Sequence, residues 1–277
     1  MTVVGRILRS FGPWGDVWVR SGWRVQVHCD SLQARILDPG GRCVATGTEE
    51  ACRTRAARLA PCARRRRGAV LLHGILNDRQ IMLPMAAVLE AAGWAVACID
   101  YPSTRRHLEA HAAAASHAAR ALAEDGAAEI SFVGHSMGGL VARAALSRAQ
   151  KDGWQPARLV LIASPARGSG LARSLRGLPG YRSLLGPCGD AVTPDGAAQV
   201  PMPACRDVAV IAGGTGRNGF NPLLEGDNDL TVTVTETRLP DVETDFLLVR
   251  ATHTPLAAHR RTISATLSFL ATGRMGA

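Results

Sequence analysis

From residue 68 onward, short apolar runs alternate with alanine-rich stretches, and this alternation constrains the fold more than any other feature. The runs are nearly continuous in apolar residues, as in strands buried on both faces, whereas the stretches between them have helical length. Strands that alternate with helices build a parallel sheet covered on both sides. The predicted strands are Ala69–His73, Ala95–Asp100, Ile130–Gly134, Leu159–Ala163, Val208–Ala212 and Phe246–Val249. The predicted helices are Gln80–Ala92, Thr104–Asp125, Met137–Gln150 and Pro255–Thr272.

Residues 1–67 lack this alternation and are predicted to form a separate β-rich extension, an accessory segment to a larger domain at 68–277. Apolar and polar residues alternate as in half-buried strands, and Asp38-Pro-Gly-Gly41 is typical of a tight turn. Thr48 is placed to cap a short arginine-bearing helix. The predicted elements are strands Trp14–Val19, Trp23–His28, Leu32–Leu37 and Arg42–Thr46, helix Glu49–Leu59, and an exposed linker at Arg64–Arg67.

The formal net charge of +9 resembles that of a polyanion-binding protein, but it is unevenly distributed. Residues 1–67 hold 13 arginines against 5 acidic residues, whereas residues 68–277 hold 19 basic against 18 acidic residues. No nucleic-acid partner is therefore predicted. The basic extension could contact a membrane surface peripherally.

The hydrophobic fraction of 47% allows a sizeable core and excludes wholesale disorder. No apolar run reaches the roughly 18–20 residues that span a bilayer, and the N-terminal sequence lacks a signal-peptide pattern. A cytoplasmic location is therefore expected. The seven cysteines are scattered without a Cys-x-x-Cys pair, which disfavours a zinc finger. Cys188 and Cys205 could pair in an oxidising compartment.

Residues 170–206 contain six glycines and five prolines and show no clear period. Such a segment inside an alternating pattern is predicted to be an insertion, placed as a lid above the sheet.

The motif Gly134-His-Ser-Met-Gly138 follows a predicted strand and opens a predicted helix. This strand–turn–helix context is the one that a nucleophile elbow requires. The strained turn points the serine hydroxyl away from the sheet, and only residues without side chains fit two positions before and after it. The helix N-terminus also favours developing negative charge. Ser136 is therefore the predicted nucleophile.

With this motif, the chain resembles the α/β-hydrolase superfamily, specifically bacterial lipases and esterases, over roughly residues 68–272. Three other segments carry the resemblance. They are Val70-Leu-Leu-His-Gly-Ile75, which is similar to the oxyanion strand and turn; Ala163-Ser-Pro-Ala-Arg-Gly-Ser-Gly-Leu-Ala172, which is similar to a lipase segment after the sixth strand; and Gly226-Asp-Asn-Asp-Leu-Thr-Val232 with Ala251-Thr-His253, which are similar to the acid and histidine loops.

The resemblance implies the α/β-hydrolase fold and a Ser-acid-His chain order. His253, after the last predicted strand, is the expected general base, and His259 within the final helix is its competitor. The oxyanion hole is expected from the backbone N–H groups of Met137 and Ile75, with Leu76 as the neighbour of the latter. His73 and His135 precede motif turns and are expected to be structural.

For the acid, Asp229 reproduces the spacing of the lipase pattern Asp-Gly-x-Val-x-Val but is followed by Leu230 where glycine is usual. Asp227, only two residues away, remains an alternative, and Asp245 before the last strand is a third. An aspartate not used in catalysis would cap the loop.

Other constellations are weaker. His107 and His111 are four residues apart on a predicted helix, but Glu109 between them comes one position late for the zinc-protease motif and no third ligand is evident, so a solvated helix face is expected. No metal and no nucleotide cofactor are predicted.

The sequence thus predicts a serine hydrolase that cleaves carboxylic esters through an acyl-enzyme, with a small-molecule or lipid ester as substrate. A thioesterase, an amidase or an acyltransferase would use the same residues. A non-catalytic protein of this fold that binds a membrane or a partner is the alternative from another class.

Overall fold

Over residues 12–62 and 64–276, which are the residues described, the computed structural model contains a six-stranded parallel sheet and a four-stranded antiparallel sheet. The parallel sheet has the order β10-β9-β8-β7-β5-β6. After β6, which forms one edge, the chain crosses over β5 to β7 and then adds each later strand on the other side. Its strands are β5 (Arg67–Leu72), β6 (Ala95–Ile99), β7 (Glu129–His135), β8 (Pro156–Ile162), β9 (Asp207–Gly213) and β10 (Asp245–Val249). The predicted parallel sheet is confirmed.

The antiparallel sheet is the predicted β-rich extension, and its strands follow one another in sequence order. Its apolar face, which includes Val25 and Ile36, packs against Cys52 and Ala56 of the following helix. The opposite face carries polar side chains, among them Asp16 and Gln26, which are also buried. The strands are β1 (Trp14–Arg20), β2 (Trp23–His28), β3 (Ala34–Leu37) and β4 (Cys43–Gly47), and the helix is α1 (Glu49–Leu59).

The helices cover both faces of the parallel sheet and bury one apolar cluster on each side of it. Besides α1, the α-helices outside residues 170–206 are α2 (Leu83–Ala91), α3 (Leu108–Glu124), α4 (Met137–Leu146), α5 (Ala149–Asp152), α10 (Val234–Thr237), α11 (His253–Leu256) and α12 (Arg260–Thr272). Glycines are absent from the interior of α3, and alanine predominates there, which favours this long helix.

Several predicted helix boundaries were wrong, because local turns interrupt patterns that look continuous in sequence. The first predicted helix begins as a 3₁₀ turn at Arg79–Met82, capped by the side chain of Asp78. The second begins at Leu108, four residues later than predicted. The helix predicted at 137–150 is divided into α4 and α5. The final one is divided into α11 and α12, so His259 caps a helix instead of lying within it.

The segment 170–206 is not featureless. It contains four short helices, α6 (Gly170–Leu175), α7 (Tyr181–Leu185), α8 (Cys188–Ala191) and α9 (Pro194–Gln199). Buried Arg143 of α4 donates hydrogen bonds to the carbonyls of Val200 and Pro201 near the end of this segment, and to that of Ala166 before it. Both Cys188 and Cys205 are free, so they form no disulfide with each other.

The arginine block at 64–67 is exposed, as predicted, although Arg67 already belongs to β5. It therefore lies at the N-terminal end of β5, a strand of six residues and about 20 Å, whose C-terminal end leads to Gly74. Within the described part of the chain, no helix is both long and apolar enough to cross a membrane.

Candidate active site

Ser136 lies at the junction between β7 and α4, with φ 55° and ψ −127°. This left-handed φ is unfavourable for a residue with a side chain and is typical of a functional turn. The two motif glycines are needed for steric reasons. A Cβ on Gly134 would lie 2.4 Å from the carbonyl oxygen of Gly138, and a Cβ on Gly138 would lie 2.5 Å from that of His73.

The structure brings Ser136, His253 and Asp229 together, although 117 residues separate the first two. The Nε2 atom of His253 lies 3.0 Å from Oγ of Ser136. Its Nδ1 atom lies 2.7 Å from Oδ2 of Asp229. The backbone N–H of His253 also donates to the carbonyl of Asp229 at 2.9 Å, which joins the two loops directly.

Asp229 is fully buried, and its second carboxylate oxygen is held by the loop that follows. Oδ1 accepts hydrogen bonds from the backbone N–H groups of Thr231 and Val232, at 3.0 and 2.8 Å. Leu230, between Asp229 and Thr231, has a φ of 90°, in the region that favours glycine. A residue with a side chain adopts this φ only at some cost in strain, so the position suits the glycine of the lipase pattern better than Leu230.

The alternative acids have other partners. Asp227 accepts hydrogen bonds from the N–H groups of Thr215 and Gly216, both at 2.8 Å. Burial alone would raise the pKa of Asp227, but these hydrogen bonds hold it below its ordinary value. Asp245 is the first residue of β10, whereas His253 follows the last residue of that strand. The carboxylate of Asp245 accepts a hydrogen bond from the N–H of Met275. The competing base, His259, is exposed and accepts a hydrogen bond from the N–H of Arg261.

The two predicted oxyanion donors flank Ser136. Met137 is the first residue of α4, so its N–H has no partner within the helix. On the other side, a Cβ placed on Gly74 would lie 2.8 Å from Cβ of Ser136 and 3.3 Å from its Oγ. The peptide between Gly74 and Ile75 therefore runs close to the serine. Leu76 continues the turn with a φ of 58°.

His135 contacts the loop that carries His253. Its Nε2 atom lies 3.0 Å from the carbonyl oxygen of His253, and the two rings are 4.9 Å apart. Burial, and then the nearby His253, lower the pKa of His135 to about 3, so its ring is neutral at ordinary pH. His135 is therefore a structural neighbour of the site, as the sequence predicted.

His73 has a comparable role at the Gly74 turn, with partners that the sequence reasoning missed. The backbone N–H of Tyr101 donates to its Nε2 atom at 3.3 Å, and the hydroxyl of Tyr101 donates to its carbonyl. The two rings stack at 4.1 Å. A polar pair, Asp100 and Tyr101, at the carboxyl end of a predicted strand was the available signal, because ligand sites of parallel sheets lie at that edge.

The expectation of a solvated face for His107 and His111 was wrong in part. His107 is exposed, but His111 is only 2% exposed and packs with its ring 4.8 Å from that of Tyr101. Burial is the main reason that the pKa of His111 falls to about 3. In the part of the chain that the structure describes, no three metal-binding side chains converge.

Residues 69–272 match the model of the alpha/beta hydrolase family, and the chain belongs to this family. The extension and its antiparallel sheet lie before the matched residues. No curated protein matches the chain.

Two solved structures extend the comparison. The mature form of the lipase BlEst2 from Bacillus licheniformis is similar, with a TM-score of 0.61 and 18% identity, over 76% of this chain and 93% of that chain. The metagenomic carboxyl esterase MGS0156 is similar, with a TM-score of 0.50 and 20% identity, over 68% of this chain and 64% of that chain. At these identities the likeness shows the fold alone. The family and the fold together define a hydrolase.

Proposed function

We propose that this hydrolase cleaves carboxylic esters with Ser136 as nucleophile, His253 as general base and Asp229 as orienting acid. The observation that carries the proposal is the hydrogen-bonded chain from Asp229 through His253 to Ser136, with contacts of 2.7 and 3.0 Å. Both distances lie within the range over which a nucleophile and a base exchange a proton.

The first half of the reaction acylates Ser136. With the Nδ1 proton held by Asp229, the Nε2 atom of His253 takes the serine proton while Oγ attacks the ester carbonyl. The negative charge that develops on the carbonyl oxygen is stabilised by the N–H groups of Met137 and Ile75 and by the N-terminus of α4. His253 then returns the proton to the leaving alcohol.

The second half of the reaction releases the acid. Water, deprotonated by the same Nε2 atom, attacks the acyl-enzyme, and the oxyanion is stabilised as before. Because the hydrogen bonds from Thr231 and Val232 fix the carboxylate of Asp229, the imidazole keeps its orientation in both halves.

The substrate class rests on the similar structures, which are a lipase and a carboxyl esterase. We therefore favour small-molecule or lipid esters, hydrolysed without a cofactor. Thioesters and amides would be attacked by the same groups. We further propose that residues 68–277 form the catalytic unit and that residues 170–206 cover it. Residues 1–67 would be an accessory unit.

Peripheral membrane contact through residues 1–67 also stays a proposal, with a geometric restriction. The exposed arginines at 64–66 precede β5, whereas Ser136 follows the C-terminal end of the parallel strand β7. A membrane bound at these arginines would therefore lie at the N-terminal ends of the parallel strands, whereas the serine lies at their C-terminal ends.

The test is hydrolysis of p-nitrophenyl esters over a series of acyl-chain lengths. We expect Ser136→Ala to abolish turnover, and Asp229→Asn to lower kcat by about 10⁴, as in serine proteases. Asp227→Asn is the matched control, because it makes the same change in the same loop. If Asp227→Asn is the more damaging of the two, the acid is misassigned. If the wild type hydrolyses no ester, thioester or amide, the catalytic proposal fails and a binding role gains support.

A further inference from the structure

Asp16 lies in the extension, outside the residues that match the family, and its side chain is fully buried. It binds both backbone polar groups of Asp100, the residue after β6. Its backbone N–H donates to the carbonyl of Asp100 at 2.8 Å, and its Oδ2 atom accepts the N–H of Asp100 at 2.7 Å. Burying a carboxylate is costly unless it is paired, and Arg24 lies 3.4 Å away. Burial raises the pKa of Asp16 to about 6, despite Arg24.

Asp100 and Tyr101 in turn hold both ends of the oxyanion loop, which we define as residues 73–79. At its far end, the N–H of Arg79 donates to Oδ1 of Asp100 at 2.9 Å. At its near end, Tyr101 binds both the ring and the carbonyl of His73. The position of this loop therefore depends on the position of the peptide between Asp100 and Tyr101.

The oxyanion loop lies directly against the predicted nucleophile, since Gly74 has no room for a Cβ beside Ser136. Oxyanion donors act only when they are held in place before the reaction. A displacement of about 1 Å in such a site can cost about 10²-fold in rate. The contacts that link Asp16 through Asp100 and Tyr101 to the oxyanion loop can therefore affect turnover.

We propose that Asp16 is a positioning residue, through which the N-terminal sheet fixes the oxyanion loop for catalysis. The inference rests on the proposed function, because it assumes that the N–H of Ile75 binds the oxyanion. It gives the extension a role in the hydrolase site, independent of any membrane. The charged or titratable groups around the Asp16–Asp100 pair are Arg24, Arg35, Arg79, His73, Cys98 and Tyr101.

The test compares Asp16→Ala with Asp16→Asn in the full-length chain. Asp16→Ala removes the acceptor for the N–H of Asp100, so we expect kcat on a p-nitrophenyl ester to fall about 10- to 100-fold, with KM within about twofold of the wild type. Asp16→Asn keeps an acceptor oxygen and should recover most of kcat. Asp38→Ala, in the β3–β4 turn of the same sheet, is the control and should leave kcat unchanged.

Hydrogen exchange gives a readout that does not depend on catalysis. In Asp16→Ala, amides of residues 73–79 should exchange faster, whereas those of β9 at the other side of the sheet should not. Equal exchange in the oxyanion loop, or a kcat equal to that of the wild type, would overturn the proposal. So would a uniform increase in exchange, since it would indicate general destabilisation. If the wild type is inactive on esters, the proposed function fails, and the exchange result alone decides the positioning role.

Discussion

Replacing Gly74 with alanine should damage catalysis far more than folding. The added Cβ would lie 2.8 Å from Cβ of Ser136 and 3.3 Å from Nδ1 of His135. Carbon atoms in contact prefer about 3.5–4.0 Å, so the oxyanion loop or the serine must move by roughly 0.7 Å or more. Overpacking of this size costs about 1–3 kcal/mol of stability, which a folded domain tolerates.

The expected loss of catalytic rate is larger than the loss of stability, because the displaced peptide carries the N–H of Ile75, which we propose as an oxyanion donor. Loss of one oxyanion donor lowers kcat by about 10²–10³, equivalent to about 2.7–4 kcal/mol. Because that donor acts on the transition state, kcat should fall with little change in KM. The assay is p-nitrophenyl ester hydrolysis together with urea unfolding. Gly177→Ala, where nothing lies within 4 Å of the new methyl, is the control. A Gly74→Ala enzyme with more than half of wild-type kcat would refute the reasoning.

Three further predictions concern stability. The pKa of buried His111 is about 3 in the folded protein against about 6.5 in the unfolded chain. The folded protein therefore loses stability as pH falls below 6.5, and the loss from this group is about 3 kcal/mol at pH 4.5. His111→Phe should remove that part of the pH dependence of urea unfolding, and an unchanged pH dependence would contradict the burial argument. Arg143→Met leaves buried carbonyls without donors, so the free energy of unfolding should fall by about 3 kcal/mol and protease cleavage within 170–206 should accelerate; resistance equal to the wild type would show that this guanidinium does not anchor the segment. Leu230→Gly relieves a φ of 90° and should raise the melting temperature, by an amount equivalent to about 0.5–1 kcal/mol, whereas a lower melting temperature would show that the turn is not strained.

The sequence predicted those parts of the site that depend on local geometry. The spacing of Gly134, Ser136 and Gly138 follows from one tight turn, whose close contacts exclude side chains at both glycines. The parallel sheet was equally accessible, since buried strands of this class are continuous apolar runs. The choice of Asp229 over Asp227 could only be weighed, because loop folding decides which carboxylate points at His253.

Interactions between distant segments were not accessible in this way. Nothing in the half-buried pattern of β1 indicates that Asp16 would meet Asp100, 84 residues away. The burial of His111 likewise depends on a tertiary contact with Tyr101, which lies in the loop after β6, and spacing on a helix does not show which face is covered. The break between α11 and α12 arises where His259 caps a new helix, a turn that helical periodicity alone does not reveal.

The central claim is that Ser136 is a nucleophile activated by His253, and covalent labelling with a fluorophosphonate tests it most directly. Mass spectrometry of the labelled protein and of its peptides should find one adduct, on Ser136. Ser136→Ala should not be labelled, and His253→Ala should be labelled far more slowly, because the serine would lose its base at 3.0 Å. Labelling of Ser136→Ala at the wild-type rate, or an adduct on another residue, would contradict the account.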